Sequence, residues 1–415
     1  MSKQRKWRDT IFENLVLLQR GIDLPQSQRR VGDIPILGSS GVTGYHNESK
    51  VAGPGITVGR SGASIGVVTY SDIDFWPLNT ALYVKDFRGN HPRFAYYFLK
   101  QFDFKRYNSG SAQPSLNRNF VHPTKIRIPP LKTQQAIAHI LGTIDEKIDL
   151  NRRMNETLEA MAQAIFKSWF VDFDPVKAKA RGEQPVGMDA ETAALFPDSF
   201  EPSGLGEIPR GWRVSEVGKE VIVKGGATPS TKNPLFWDGG SFCWATPKDL
   251  SALESPVLLD TARKITEEGV NRISSKLLPK GTLLMSSRAP VGYLAIAEID
   301  TAVNQGFIAM ECSKSLNCMY MLFWCKENME TIKSNANGST FQEISKKNFK
   351  PISIIVPEEL VLNKFESAIS PLYRKIVSNL KERQTLTSLR DTLLPNLISG
   401  ELSVAEVERK LEAEL

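Results

Sequence analysis

Two stretches, GITVGRSGASIGVVTYSDID at residues 55–74 and GTLLMSSRAPVGYLAIAEID at residues 281–300, decide the fold of this chain. They align without a gap, so that Gly66 falls on Gly292 and both stretches close on Ile-Asp. Each has apolar, strand-like ends around a centre rich in small residues. A strand–turn–strand unit that occurs twice in one chain indicates an internal duplication.

The duplication extends upstream of these stretches. A Trp-Arg pair begins at Trp7 and precedes Gly21, and the same spacing recurs from Trp212 to Gly226. The two copies have diverged in sequence but keep their motifs in the same order. The chain therefore contains two related lobes.

A long helical segment follows each copy. Five residues of the first segment, beginning with Lys147, recur in the second at a constant separation of 228 residues (375 − 147), beginning with Lys375. Both segments keep an apolar seam with alternating spacings of four and three residues, which predicts coiled-coil packing with a central polar residue that fixes the register. The predicted pairing residues are Ile137, Leu141, Ile144, Ile148, Asn151, Leu158 and Ile165 in the first segment and Phe365, Ile369, Leu372, Ile376, Asn379, Leu386 and Leu393 in the second.

The length of these segments bears on how they pack. About 39 residues at 1.5 Å each make a rod of roughly 58 Å, which is too long to pack inside one small lobe. We therefore expect the two helices to pair with each other in antiparallel fashion. The alternative is that each helix is only the amphipathic wall of its own lobe.

These observations predict an α+β fold in which two mixed α/β domains in tandem duplication are separated by two long antiparallel coiled-coil helices. The predicted boundaries are residues 1–131 for the first domain, 132–171 for the first helix, 172–210 for a connector, 211–358 for the second domain and 359–415 for the second helix and tail. Five prolines make the connector mostly irregular, with one short helix capped by Asp189 and ended by Pro197.

Charge is distributed unevenly along the chain, whose net charge is +6. Residues 1–131 contain 18 Lys or Arg against 9 Asp or Glu, and residues 206–358 contain 18 against 16, whereas the segments that follow them are acidic. This pattern favours two lobes that face a polyanion and helices that face something else. No apolar run reaches membrane-spanning length, so we expect a cytoplasmic protein without a membrane partner.

Motifs of well-known catalytic chemistry are missing from the sequence. It has no GxxxxGK[ST], GxSxG or HExxH motif, only four scattered histidines, and four cysteines without CxxC spacing. NPLF at residues 233–236 resembles the tetrapeptide with which amino-methyltransferases hold a base, but the second proline is missing. We therefore predict no catalytic residue, no metal site and no cofactor in this chain.

The turn GRSGASIG at residues 59–66 has a composition suited to DNA. It leads into a strand, whereas a loop that holds a nucleotide phosphate usually leads into a helix. Small residues let a backbone approach an extended surface, and Ser, Asn, Gln, Lys and Arg contact phosphates and base edges. A tight turn without any ligand is the alternative.

Loops of the same composition recur in both copies, and we predict DNA contacts from them, although ordinary surface loops have similar compositions. In the first copy the predicted residues are Ser39, Ser40, Arg60, Ser61, Ser64, Asn79, Ser109, Ser111, Gln113, Asn117 and Arg118. In the second copy they are Thr228, Ser230, Lys232, Ser286, Ser287, Arg288, Asn304, Gln305, Asn337, Ser339, Gln342, Lys346 and Lys347. Replacing either arginine of the two central turns by alanine is expected to weaken DNA binding.

The chain resembles the specificity subunits of type I restriction-modification enzymes over essentially its whole length. The most specific parts are KSWFVDFDP at the end of the first helix, GMDAETAALFPDSF in the connector and LRDTLLPNLISGEL at the close of the second helix. The resemblance implies two target-recognition domains that each read one half of a split double-stranded DNA site, spaced by the paired helices. It also implies that the helices dock two methyltransferase subunits, through which motor-nuclease subunits join.

Under this resemblance the chain is not itself an enzyme, and S-adenosylmethionine, ATP and Mg²⁺ are expected on partner subunits. Because the two copies have diverged, the half-sites are expected to differ. Two alternatives stay open: an enzyme with an unrecognised active site, and a non-catalytic coiled-coil scaffold or DNA-binding protein that acts outside a restriction complex. A scaffold that does not bind DNA predicts no salt-dependent DNA affinity.

Overall fold

The computed structural model describes residues 7–109, 114–338, 342–407 and 409, and it divides into two compact units. Unit 1 is formed from Met1–Leu150 and Glu382–Leu415, and unit 2 is formed from Asn151–Lys381. Each unit therefore contains one of the two domains and one part of each long helix.

Unit 1 is built from short strands that precede the first long helix. The strands are β1 (Arg8–Ile11), β2 (Leu17–Arg20), β3 (Ile34–Gly38), β4 (Gly41–His46), β5 (Gly55–Gly59), β6 (Val68–Ser71), β7 (Trp76–Pro77), β8 (Ala81–Asp86) and β9 (Lys125–Ile128). The helices are α1 (Pro92–Gln101), α2 (Arg118–Val121) and the long α3 (Leu131–Phe170), which continues into unit 2. The strands form sheets in the orders β2-β8-β5-β6 and β4-β3-β7 and the pair β1-β9.

Unit 2 begins with the connector and continues into the second domain. The connector contains α4 (Asp174–Ala180), α5 (Ala190–Ala194) and the hairpin of β10 (Phe200–Ser203) and β11 (Gly206–Pro209). The strands that follow are β12 (Arg213–Glu216), β13 (Ile222–Lys224), β14 (Phe242–Ala245), β15 (Val257–Leu258), β16 (Arg263–Ile265), β17 (Leu283–Ser287), β18 (Val291–Ala297), β19 (Thr301–Val303), β20 (Phe307–Glu311) and β21 (Ser353–Val356). The helices are α6 (Val217–Glu220), α7 (Pro247–Ser251), α8 (Glu267–Asn271), α9 (Cys318–Glu327), α10 (Met329–Ser334), α11 (Lys346–Phe349) and the long α12 (Glu359–Ser399), which continues into unit 1.

The sheets of the two units have the same strand order, which confirms the predicted duplicated α+β fold. The sheet β13-β20-β17-β18-β15 repeats β2-β8-β5-β6 with one added edge strand, and β16-β14-β19 repeats β4-β3-β7. In both small sheets the central strand is antiparallel to one neighbour and parallel to the other. The pairs β1-β9 and β12-β21 each lead into a long helix.

Two glycines at equivalent positions explain part of the repeated spacing. A Cβ atom added to Gly21 would lie 2.0 Å from the carbonyl oxygen of Leu78, and one added to Gly226 would lie 1.9 Å from that of Val303. Only a residue without a side chain lets the two backbones approach this closely. Each glycine therefore holds the start of its domain against the turn that follows β7 or β19.

The glycine-rich turn of unit 1 joins two strands, as predicted. β5 and β6 are antiparallel, with Val58 opposite Val68. Gly62 and Gly66 have φ angles of 64° and 82°, which side chains disfavour. The turn therefore depends on glycine for its backbone conformation.

The connector is more regular than predicted. The helix capped by Asp189 is confirmed, since the Asp189 carboxylate accepts a 2.8 Å hydrogen bond from the Thr192 amide. The prediction missed α4 and the β10-β11 hairpin because proline was read only as a breaker. Pro175 lies in the first helical turn, where its missing N–H costs nothing, and Pro202 lies in a two-stranded hairpin.

In both units the long helices pack against each other. In unit 1, Ile137 and Leu141 share one hydrophobic core with Leu393 and Leu397, and Lys147 lies 3.4 Å from Glu382. In unit 2, Asn379 donates a 2.8 Å hydrogen bond to Asn155, and Phe166 packs on Phe365 with ring centres 5.9 Å apart. In each unit, residues later in α3 contact residues earlier in α12. The predicted antiparallel pairing is therefore confirmed.

The buried seam differs in part from the predicted one. Of the predicted residues, Ile148, Leu158, Ile165, Leu372 and Leu386 are only half-buried. Phe166, Phe170 and Tyr373 are buried in unit 2 instead. A straight helix has 3.6 residues per turn, so a 3.5-residue seam drifts around it by about 20° per heptad.

No helix in the described ranges is both long and apolar enough to cross a membrane.

Candidate DNA-recognition surfaces

In unit 1 the turn that follows β5 lies against the β3-β4 turn. A Cβ atom added to Gly59 would lie 2.1 Å from the carbonyl oxygen of Ser64 and 2.3 Å from that of Ser39. The hydroxyl oxygens of Ser39 and Ser61 are 3.1 Å apart. We call the loops at residues 39–40, 60–64, 79–80, 108–109 and 114–117 rim 1.

The loop that precedes α2 completes rim 1. The Leu116 amide donates a 2.8 Å hydrogen bond to the Arg60 carbonyl, and the Gly62 amide donates one of 3.2 Å to the Pro114 carbonyl. Within this loop the Ser109 amide bonds the Ser115 carbonyl at 2.9 Å. Predicted residues far apart in sequence are thus brought onto one surface, although Ser111 and Gln113 lie outside the described residues.

Arg60 gives rim 1 a positive charge that forms no ion pair with any carboxylate that the structure describes. Its guanidinium donates a 3.2 Å hydrogen bond to the Asn79 carbonyl. Burial lowers the pKa of Arg60, and the neighbouring charge of Arg20 lowers it further, so an approaching anion is favoured here. Sequence reasoning missed Arg20, because Arg60, the group that it affects, is distant in sequence and the second copy has Gly225 at the equivalent position.

Three other predicted residues of unit 1 use their side chains to hold loops in place. The Asn79 amide donates to Asp23 at 2.9 Å, and the Arg118 guanidinium donates to the Leu18 carbonyl at 3.2 Å. The Asn117 side chain accepts a 3.0 Å hydrogen bond from a backbone amide at the start of α2. These contacts make a structural role the first explanation for the three residues. Ser40 is exposed, and Ser64 is half-buried in the turn.

Unit 2 has a corresponding surface, called rim 2, formed by residues 225–233, 287–290, 304–306, 335–338 and 342–347. The Thr228 hydroxyl donates a 2.6 Å hydrogen bond to the Gln305 side chain. A Cβ atom at Gly225 would lie 3.2 Å from the Lys346 ammonium nitrogen. The predicted residues exposed on rim 2 are Thr228, Ser230, Lys232, Gln305, Asn337, Gln342, Lys346 and Lys347, and Ser339 lies outside the described residues.

The assignment of Ser286 and Ser287 to DNA contacts is corrected by their burial. They are 0% and 3% exposed, and the Ser286 hydroxyl donates to the Pro290 carbonyl at 2.7 Å and accepts from the Tyr293 amide at 2.8 Å. Both serines therefore shape the turn from inside. Asn304 is half-buried, and its side-chain oxygen accepts a 2.8 Å hydrogen bond from the Gly306 amide of the same loop.

The two central turns are equivalent, but with a shift of one residue from the ungapped alignment. The Ile344 amide donates a 3.0 Å hydrogen bond to the Ser287 carbonyl, as the amide of Leu116 does to Arg60 in unit 1. Arg60 therefore corresponds to Ser287, and the next residue in unit 1 corresponds to Arg288. Arg288 lies 3.7 Å from the Glu343 carboxylate, so its charge is partly neutralised.

Comparison with known proteins agrees with this duplicated architecture. The family model described as type I restriction modification DNA specificity domain matches residues 19–160 and 209–382, which is more than half of the chain and includes part of each unit. The chain belongs to this family. It is thus a specificity subunit of a type I restriction-modification system.

Curated members of the family show the extent of the likeness. The subunit is 29% identical over 330 residues to the type I restriction enzyme HindI specificity subunit of Haemophilus influenzae, covering 70% of this chain and 71% of that protein. It is 35% identical over 199 residues to the MjaIX specificity subunit of Methanocaldococcus jannaschii, covering 48% and 46%. The crystal structure of a type I S subunit from M. genitalium has the same fold, with a TM-score of 0.64 at 19% identity over 96% of this chain and 98% of that one.

Proposed function

We propose that this subunit selects the DNA sequence on which its complex acts, with the domain of unit 1 reading one half of a bipartite site and the domain of unit 2 the other. The observation that carries this proposal is one sheet order repeated in two units that bear unlike rims. A framework present twice suits two half-sites on one duplex, because a duplex offers equivalent surfaces at successive turns.

The differences between the rims support an asymmetric site. Arg60 of rim 1 occupies the place of the buried Ser287 in rim 2, where the arginine, Arg288, comes one residue later. In rim 1 the arginine faces no described carboxylate, and in rim 2 it is paired with Glu343. Base edges are distinguished by where donors and acceptors are placed, so unlike placements select unlike bases.

The paired helices are proposed to set the spacing of the half-sites and to dock two methyltransferase subunits. α3 has 40 residues, a length of about 60 Å, whereas one turn of DNA is about 34 Å. The buried Asn155–Asn379 contact supports a fixed register for this spacer. Leu150, Met161 and Leu360 remain 44%, 48% and 62% exposed on the helices, which suits contact with protein partners.

The chemistry is proposed to belong to the partner subunits. Methyltransferase subunits would bind S-adenosylmethionine and extrude an adenine from the base stack, which an enzyme must do to reach the reacting nitrogen. Motor-nuclease subunits that join through them would bind ATP and Mg²⁺. The subunit described here positions these enzymes on cytoplasmic DNA and is itself non-catalytic.

Mapping methylated adenines in a host with and without this gene, each expressing the partner subunits, tests the proposal. The expected result is one bipartite, asymmetric motif that is methylated only when the gene is present. Absence of any gene-dependent motif would contradict the proposal. The purified complex should also bind the mapped site with an affinity that falls steeply with salt, whereas salt-insensitive binding favours the scaffold alternative.

A further inference from the structure

An arginine of unit 2 is stacked on two tryptophans beside rim 2. The guanidinium carbon of Arg263 lies 3.7 Å from the ring centre of Trp237 and 5.3 Å from that of Trp244. The two indole rings meet edge to face, with centres 5.0 Å apart. An arginine stacked on aromatic faces has its plane fixed before any ligand arrives.

The same tryptophans hold the loop from which DNA contacts were predicted. The indole N–H of Trp237 donates a 3.0 Å hydrogen bond to the Ser230 carbonyl, and that of Trp244 donates one of 3.3 Å to the Ala227 carbonyl. Trp244 and Arg263 are directly opposite each other in the β14-β16 pair, so their side chains share one face of the sheet. Arg263 therefore stands beside the loop that carries Lys232.

The donors of Arg263 are free to meet an external acceptor. The side chain is exposed, and it forms no ion pair with any carboxylate in the described part of the chain. The next residue, Lys264, forms an ion pair with Asp260, whereas the charge of Arg263 is not offset in this way. An exposed, oriented and unpaired guanidinium is suited to two adjacent acceptors.

At the strand that corresponds to β16, unit 1 has no equivalent of this stack. This strand, β4, has the sequence GVTGYH and contains no arginine. The connection from β3 to β4 is a tight turn, whereas residues 246–262 separate β14 from β16. At this position of the fold the stacked arginine is therefore present in the second domain and missing from the first, which adds to the differences between the two rims.

We propose that Arg263 reads a guanine in the half-site of the second domain, donating both hydrogen bonds of its fork to O6 and N7 in the major groove. This inference rests on the proposed function. The reason for choosing guanine over phosphate is the fixed plane, because bidentate guanine recognition needs orientation, whereas a phosphate is contacted equally well by a mobile lysine. Trp237 is a positioning residue in this account.

The test uses the complete methyltransferase complex and duplexes that carry the methylation-mapped site. Each guanine of the half-site assigned to the second domain is replaced in turn by 7-deazaguanine, which lacks the N7 acceptor. At one position the wild-type complex should lose about tenfold in affinity. Arg263→Ala should bind the normal duplex about tenfold more weakly. Its affinity should not fall further when 7-deazaguanine replaces guanine at that position. Trp237→Leu keeps the arginine but should reduce the difference in affinity between the guanine and 7-deazaguanine duplexes.

Arg272→Ala serves as the matched control, since Arg272 is also stacked on an aromatic ring, that of Phe236, at 5.5 Å. The control should keep full sensitivity to 7-deazaguanine. Assembly with methyltransferase subunits and thermal unfolding show whether each variant is folded. An Arg263→Ala complex that keeps this sensitivity, or that loses affinity equally for all sequences with a salt slope lower by about one, overturns the guanine assignment. A wild-type complex without any sequence preference would instead refute the proposed function.

Discussion

The guanidinium of Arg390 donates a 3.0 Å hydrogen bond to the carboxylate of Asp145, which joins α12 to α3 within unit 1. The other oxygen of Asp145 accepts a 2.6 Å hydrogen bond from the Tyr97 hydroxyl on α1. One carboxylate therefore links the first domain to both helices. In unit 2 the domain meets the helices through the rings of Phe323, Phe166 and Phe365, which contact one another, and through an ion pair between Lys326 and Glu159.

Replacing Arg390 by alanine should lower the free energy of unfolding of unit 1 by about 2 kcal/mol, because it removes a charged hydrogen bond from a carboxylate that is only 22% exposed. Urea denaturation, with hydrogen exchange of α1 amides to identify the unit, measures the effect. The matched control is Arg106→Ala, which removes an exposed pair with Asp103 in unit 1 and should cost under about 0.5 kcal/mol. Equal losses in the two variants would contradict this interpretation.

The buried contact between Asn155 and Asn379 predicts strong coupling. Asn155→Leu or Asn379→Leu alone should each cost about 2 kcal/mol of unfolding free energy, because the first leaves the buried Asn379 NH2 without its acceptor and the second leaves the buried Asn155 oxygen without its donor. The double variant should recover most of this loss, since neither polar group then remains. A double-mutant cycle measured by chemical denaturation decides the matter, and simple additivity would show that the pair is not coupled.

Glu220 should make the stability of unit 2 depend on pH in the acid range. Hydrogen bonds of 2.6 and 2.8 Å from Arg213 lower the pKa of the Glu220 carboxyl from 4.5 to about 2. A carboxyl with a lowered pKa in the folded state stabilises the fold above pH 4.5, and this contribution is lost as the pH falls towards 2. At pH 7, Glu220→Gln should therefore cost about 2 kcal/mol, after allowance for solvent around the half-exposed arginine.

The comparison of Glu220→Gln with wild type over a pH series supplies the check. The difference in unfolding free energy should be constant between pH 7 and 5 and should shrink between pH 4.5 and 2. A difference that is independent of pH down to 2 would mean that the carboxylate charge does not act through Arg213. Ser215 also donates to this carboxylate and helps to lower its pKa, so the comparison measures the loss of the Glu220 charge from both partners.

The two rim arginines should contribute unequally to DNA binding. Arg60→Ala should weaken binding of the complex to its site by about tenfold, whereas Arg288→Ala should have a smaller effect because Glu343 already offsets its charge. Glu343→Gln should increase affinity for the same reason. Fluorescence anisotropy at several salt concentrations measures these changes, and Arg60→Lys separates charge from loop geometry. A larger loss from Arg288→Ala than from Arg60→Ala would contradict the assignment of charges to the rims.

Much of the fold was predictable from the sequence because the same motifs occur in two copies, in the same order. Backbone contacts that exclude a side chain, as at Gly21 and Gly226, force the same residue at the same spacing in both copies. Two long helices with one seam register have few ways to bury it, so their pairing followed from the pattern. The connector was harder, because Pro175 and Pro202 are compatible with helix start and hairpin as well as with coil.

The recognition surfaces were less predictable, because composition does not show where a side chain points. Ser286 is of a residue type that often contacts DNA, but its hydroxyl forms hydrogen bonds with backbone groups of Pro290 and Tyr293. Only the fold shows this. Arg20 and Arg263 were missed because each depends on partners distant in sequence, Arg60 for the first and Trp237 for the second. The one-residue shift between Arg60 and Ser287 likewise follows from backbone pairing that an ungapped alignment does not contain.

The central claim is that each domain reads its own half-site while the helices keep the two apart. The most direct test replaces residues 211–358 by the corresponding domain of a specificity subunit with a different site and maps the adenines that the resulting complex methylates. The account predicts a motif in which one half is unchanged, the other half is replaced and the spacer keeps its length. A motif in which both halves change, or in which neither does, would contradict it.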